Sequence, residues 1–216
     1  MKYNTILFDL DGTLTDSGPG IMRCSALALE YFGIIERDTE KLRRFVGPPL
    51  VDSFMGFYGL TEEQANKAVE VYRAEYKVKG VYENIPYPGI IDCLASLKAQ
   101  GKKLLIATSK PEETALTALN YFDMAKYFDV IGGATYDLTR SRKDDVIKYV
   151  LDLAPAFDIN TAVMVGERCY DMNGAKKFGL HSVGVLYGYG SRDELLEAGA
   201  DEIAENTEEL LAILSK

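Results

Sequence analysis

Ile6-Leu-Phe-Asp9-Leu-Asp11-Gly12-Thr13 decides the fold: an apolar run leads straight into two carboxylates set two residues apart, followed by a glycine. A short uninterrupted apolar run suits a strand of a parallel sheet covered on both faces. Side chains two apart on an extended chain share a side, so Asp9 and Asp11 aim into one crevice while Phe8 and Leu10 pack away. In an open parallel sheet, ligands bind in the crevice beyond the carboxyl ends of the strands. Two carboxylates held together repel, and one stays protonated unless a cation joins them. A hard Mg²⁺, which takes carboxylates, waters and substrate phosphate, resolves that conflict. Gly12 lets the chain turn sharply after the pair. Asp-Gly is common in surface turns, but the end of a buried strand is not such a place. An EF-hand loop is excluded, because that loop needs its glycine at the sixth position and Gly12 is the fourth residue counted from Asp9.

Further along, Leu104–Ala107, Val130–Ile131, Ala162–Val165 and Ser182–Leu186 read as strands of the same buried kind. Helical patterns lie between and after them: Ile90–Gln100, Glu112–Phe122, Lys143–Leu153, Gly174–Phe178 and Glu208–Leu214, the last preceded by a cap at Asn206–Thr207. Strand–helix alternation predicts a doubly wound, Rossmann-like α/β core. The rhythm breaks once. Between Ser17-Gly-Pro-Gly20 and Ile85-Pro-Tyr-Pro-Gly89 only helical patterns occur: Ile21–Phe32, Thr39–Phe45, Leu50–Phe57 and Glu62–Lys79. Thr61-Glu-Glu-Gln64 reads as a capping box for the fourth. Residues 16–85 are therefore expected to form an all-helical cap, inserted into a core of residues 1–15 and 86–216.

The whole chain has 216 residues and a net charge of −9, with 47% hydrophobic and 26% charged side chains. That balance belongs to a globular protein, not a disordered one. No apolar stretch nears the roughly 18 residues of a membrane span, and the start of the chain does not read as a secretory signal. The acidic balance argues against nucleic-acid polymers as partners. Three cysteines without CxxC spacing read as reduced thiols, pointing to the cytoplasm. Asp193–Glu209 holds eight carboxylates and no base, which reads as a solvated face.

Other residues able to carry chemistry sit where the strands end. Thr108-Ser109-Lys110 precedes a helix start, an arrangement suited to cradling an anion. Arg140-Ser-Arg-Lys143 is a local basic group able to focus an anionic ligand, and a lysine there can hold a carboxylate and a phosphate oxygen together. Glu167 and Asp171, one helical turn apart at a helix entry, can complete an oxygen shell around a metal. Cys169 lacks a base, His181 starts an apolar strand, and Gly188-Tyr-Gly190 lacks the rest of a dinucleotide fingerprint, so none of the three is assigned a role.

In order and spacing these segments resemble the motifs of the haloacid dehalogenase superfamily: DLDGTLTDS the first, TSK the second, the lysine of SRKDDVI the third and GERCYD the fourth. A helical cap just after the first motif is similar to the phosphoglycolate phosphatase-like members. The resemblance implies Asp9 as nucleophile, forming an aspartyl-phosphate, and Asp11 as general acid then base. It implies phosphate binding by Gly12, Thr108, Ser109, Lys110 and Lys143, and Mg²⁺ held by Asp9, the Asp11 carbonyl, Glu167 and Asp171. Arg44 and Gly47 resemble the cap segment that sets specificity. The activity implied is hydrolysis of a small phosphorylated metabolite, phosphoglycolate-like or a nucleoside 5′-monophosphate, by a monomer or homodimer. A sugar phosphomutase and a catalytically weak metabolite-binding relative are the alternatives. True dehalogenases do not need the second aspartate, so Asp11 favours phosphate chemistry. Where the family usually writes Gly-Asp, this chain has Gly166-Glu167. Glutamate keeps the charge and adds a methylene, so Glu167→Asp is expected to leave activity similar or raise it.

Overall fold

The computed structural model describes residues 2–154 and 156–216. The chain divides into two compact units, one of residues up to Thr15 with Pro86–Lys216, the other of Asp16–Ile85. The strands in chain order are β1 (Thr5–Phe8), β2 (Thr15–Asp16), β3 (Ile85–Pro86), β4 (Lys103–Pro111), β5 (Val130–Ala134), β6 (Ala162–Gly166), β7 (His181–Val185) and β8 (Glu202–Ala204). Six of them form one sheet in the order β5-β4-β1-β6-β7-β8, every pairing parallel, while β2 and β3 pair as a separate ribbon. The helices of the larger unit are α5 (Ile90–Ala99), α6 (Glu112–Tyr121), α7 (Lys143–Leu153), α8 (Cys169–Lys177), α9 (Arg192–Glu197) and α10 (Thr207–Leu214); the smaller unit holds α1 (Gly18–Glu30), α2 (Thr39–Arg43), α3 (Leu50–Tyr58) and α4 (Glu62–Val78).

The sheet is buried on both faces, which is why its strands carry no polar alternation. Ile6, Phe8, Leu104, Ile106, Val163 and Val165 pack on one side with Leu94 and Leu97 of α5 and Leu210 and Leu214 of α10. Leu7, Leu105, Ala107 and Met164 point the other way, against Val146, Ile147 and Val150 of α7 and Ala175 of α8. Strand order reverses at β1, which lies between β4 and β6 with Phe8 level with Ile106 and Val165. Asp9, Ala107 and Gly166 therefore stand level with one another, beside the switch point where ligands bind in such folds.

The helical unit has its own core. Phe45 and Phe54 are fully buried with ring centroids 4.9 Å apart, and Tyr72 stacks on Tyr76. Thr61 and Gln64 exchange both hydrogen bonds of the capping box at the start of α4. Arg23 on α1 bridges Glu75 and Glu83.

Three elements differ from the expected pattern. Helix α1 begins at Gly18, because Pro19 is tolerated in a first turn and did not break the helix. Helix α8 begins at Cys169, with the Gly166–Asp171 stretch folding directly into it. The acidic stretch Asp193–Glu209 is not simply a solvated face: it contains most of α9, all of β8 and the start of α10, with Leu195 and Ala204 fully buried. A three-residue strand, Glu-Ile-Ala, is too short to show a period. Among the described residues, no helix is long and apolar enough to cross a membrane.

Candidate active site

After β1 the backbone doubles back. Gly12 takes φ +76°, a left-handed conformation that glycine enters without strain, and its N–H donates to the Thr15 carbonyl at 2.8 Å. Asp9 Oδ1 accepts from the Leu10 N–H at 2.8 Å and lies 2.9 Å from Lys143 Nζ. Burial pushes the Asp9 carboxyl above the ordinary carboxylate range, and Lys143 pulls it back.

Lys143, the first residue of α7, is the knot of the site. Its side chain is 6% exposed, and the ammonium lies 2.9 Å from both Asp9 Oδ1 and Asp171 Oδ1 and donates to the Ala107 carbonyl at 3.0 Å. One side chain thus ties together the end of β1, the middle of β4 and the entry to α8. Burial works against its charge, but Asp171 and Asp9 outweigh burial and raise its pKa. Asp171 faces the lysine as an ion pair without an aligned hydrogen bond on Oδ1, while its Oδ2 accepts the N–H groups of Glu167 and Arg168 at 3.1 and 3.0 Å. A Cβ at Gly166 would come within 2.2 Å of the Asp171 carboxyl carbon, so that glycine is what lets the aspartate fold back.

Asp11 pairs elsewhere. Lys110 Nζ reaches its two oxygens at 3.0 and 2.9 Å, so the lysine expected at phosphate holds the second carboxylate of the first motif. Thr108, 1% exposed within β4, accepts the Lys110 N–H on its hydroxyl at 3.2 Å, and Ser109 is half-buried beside it. The basic group around Lys143 disperses: Arg140 binds Glu112 and the Gly133 carbonyl and stacks on Tyr149, and Arg142 is exposed beside Asp144. In the helical unit Arg44 is exposed with its guanidinium 3.9 Å from the Phe57 ring centroid, and Gly47 takes φ +103°.

Glu167 is fully buried. Its Oε2 accepts the N–H groups of Tyr189 and Gly190 at 2.7 and 2.6 Å, whereas its buried Oε1 has no hydrogen-bond partner. Burial pushes this carboxyl up to about 8, against the pull of Arg168. A buried carboxyl oxygen without a partner beside the Asp9 turn fits a hard divalent cation, whose charge would favour the ionised form that burial disfavours. Among the described residues, no three His, Cys, Asp or Glu side chains converge as a ready-made metal cage. Mg²⁺ does not require one, since it usually keeps several waters and takes one or two carboxylates plus substrate phosphate. Lys110 holds the Asp11 side chain and Lys143 is shared by Asp9 and Asp171, so among these four acids Glu167 is the one with no lysine against it.

The Gly188–Gly190 stretch, dismissed in sequence as a failed dinucleotide motif, thus builds part of the site. The signal available was its pair of glycines just after a buried strand. The Ala107 carbonyl and Glu194, which holds Arg168 and the Cys169 N–H at 2.8 and 2.9 Å, were not visible in sequence at all. Burial pushes the Cys169 thiol up to about 11, away from thiolate chemistry. His181 packs edge-on to Tyr3 as a structural side chain.

A buried lysine clasping two carboxylates at the switch point of a doubly wound sheet defines an α/β enzyme that works at the strand ends. The chain belongs to the haloacid dehalogenase-like hydrolase family, whose model matches residues 6–185. It is 42% identical over 195 residues to a 5′-nucleotidase of Pseudomonas aeruginosa, covering 90% of this chain and 88% of that protein. A crystal structure described as a predicted phosphatase from Clostridium acetobutylicum matches with a TM-score of 0.95 and 45% identity over 100% of both chains. The chain is also 39% identical over 189 residues to tyrosine-protein kinase PtkA of Mycobacterium tuberculosis, covering 87% of this chain but 64% of that protein. The protein is an enzyme of this hydrolase family, among relatives that carry phosphatase names.

Proposed function

We propose that the protein is a Mg²⁺-dependent phosphomonoester hydrolase that works through an aspartyl-phosphate on Asp9. Its substrate would be a small phosphorylated metabolite, a nucleoside 5′-monophosphate ahead of a phosphoglycolate-like compound, because the 5′-nucleotidase is 42% identical. The observation that carries the reading is Lys143, held 2.9 Å from Asp9 with a buried ammonium that also neutralises charge where phosphate would sit. Asp9 would attack phosphorus as the ester P–O bond breaks, and the leaving alkoxide would take a proton from Asp11. Water would then give its proton to Asp11 and attack the same phosphorus, releasing phosphate and freeing the Asp9 carboxylate. Thr108, Ser109 and Lys143 would bind the phosphoryl oxygens and stabilise their charge. Asp9, the Asp11 carbonyl and Glu167 would hold Mg²⁺, which neutralises charge on the transferred phosphoryl group when bound. Asp171 would serve by placing Lys143. Arg44 and Gly47 of the helical unit would contribute to specificity.

A second reading keeps the same aspartyl-phosphate but passes it to an acceptor other than water, and the kinase-named relative favours it. Phosphate release from a panel of nucleotides, phosphoglycolate and sugar phosphates separates the two. Free phosphate with a trappable phospho-Asp9 is the expected result. A phosphorylated acceptor without free phosphate would replace hydrolysis by transfer, and full turnover by Asp9→Asn would sink both.

A further inference from the structure

Glu167 stands where the family usually places the shorter aspartate, and the loop between β7 and α9 is shaped around it. A Cβ at Gly190 would lie 1.9 Å from the Glu167 carbonyl oxygen, and one at Gly188 would lie 2.3 Å from the Gly12 carbonyl oxygen and 2.9 Å from Glu167 Cβ. Side chains are thus excluded at both positions, and the loop backbone lies directly on the acid and on the Asp9 turn. Tyr187 pins the same segment from its other end, donating its hydroxyl to the Thr13 carbonyl at 3.1 Å. From this position two consecutive N–H groups converge on a single carboxylate oxygen, Oε2. The other oxygen, Oε1, would lie 2.9 Å from a Cβ on Gly12 and has no donor. A carboxylate bound on one oxygen by two donors, with the second left bare and buried, is an acceptor prepared for something outside the protein chain.

We infer that Gly188-Tyr189-Gly190 is a backbone clamp that holds Glu167 by Oε2 and presents Oε1 as a single ligand to a hard divalent cation, so that the clamp and the glutamate's length together set cation affinity. The inference rests on the proposed function insofar as a divalent cation is what Oε1 receives. An aspartate here would fall short by one C–C bond, about 1.5 Å. It could meet the two N–H donors or the cation position, not both. The expectation that Glu167→Asp is neutral or beneficial is therefore reversed for cation binding. Partners that orient a metal ligand through its second atom are commonly worth about 10–100-fold in metal affinity.

The test titrates Mg²⁺, and Mn²⁺ separately, into chelator-stripped full-length protein by calorimetry, without reference to turnover. Wild type is expected to bind, while Gly190→Ala and Glu167→Asp weaken binding by about 10–100-fold. Circular dichroism checks that each variant folds, and Glu167→Asp, which removes one methylene, carries the test should Gly190→Ala fail to fold. Glu167→Asp binding as tightly as wild type would overturn the clamp and leave the proposed function standing. Wild type binding neither cation would overturn the clamp together with the metal dependence on which it rests.

Discussion

The two acids that follow β6 are both buried, yet they belong to differently finished regions of the molecule. On the Asp171 side, Lys143, Ala107 and Asp9 close on one another, and the aspartate's two oxygens face an ammonium and a pair of backbone N–H groups. On the Glu167 side, one oxygen is doubly bonded and the other has no partner. The first region sets an ammonium between its two carboxylates; the second leaves an oxygen to be met by something that binds. Burial alone does not separate a positioning residue from a ligand. The presence or absence of a lysine against the free oxygen does.

The strongest way to break this contrast is Asp9→Asn, which removes the proposed nucleophile from the closed region. Phosphate release should fall by about 10⁴-fold or more, and near-normal turnover by this variant would remove the assignment. Lys143→Met tests the closed region's charge balance. It strands Asp9 and Asp171 without a counter-ion, so urea unfolding should show a loss of about 3–5 kcal/mol, part of which Asp171→Asn should restore in the double variant.

The open region responds to pH. In chelator, the folded state holds a proton on Glu167 up to about pH 8, whereas an unfolded glutamate releases it near 4.5. The native state therefore binds more protons across that window, and stability of the metal-free protein falls as pH rises through it. Glu167→Gln should remove the Glu167 share of this fall and be more stable than wild type at pH 9, as read from denaturant melts at several pH values. Equal slopes for the two proteins would show that burial does not raise the Glu167 carboxyl.

Lys110→Met sharpens the difference between the two carboxylates of the first motif. If Lys110 acts by placing Asp11, turnover of alkyl phosphates should drop about 10–100-fold, with less loss for aryl phosphates whose leaving groups need no acid, and no further loss on an Asp11→Asn background. A uniform rise in KM across leaving groups would return Lys110 to phosphate binding. Smallest in effect, Thr61→Ala should cost about 1 kcal/mol by removing the α4 cap, seen in thermal melts with kcat unaltered.

Much of this was legible along the chain because it is local. The run Ile6–Phe8 needed two covered faces, Gly12 needed a turn, and Thr61 with Gln64 needed only each other. Tertiary context decided what lay beyond local reach. Ser17-Gly-Pro-Gly20 looked like a break because proline breaks helices everywhere except near their start. Asp193–Glu209 looked solvated because a three-residue strand shows no period, although Ala204 is buried at its centre. Lys110 looked like a phosphate ligand until the 2.9 Å contact with Asp11 gave it a nearer partner.

By itself, the sequence determined the alternation of strands and helices, the acidic pair after β1 and the residue types on offer for chemistry, since periodicity, turn geometry and charge are properties of neighbours along the chain. Only the tertiary structure decided which lysine meets which carboxylate, and that a loop some twenty residues beyond Glu167 would grip one of its oxygens and leave the other bare. Those outcomes depend on backbone brought together from distant strand ends, and backbone N–H groups are the same in every sequence.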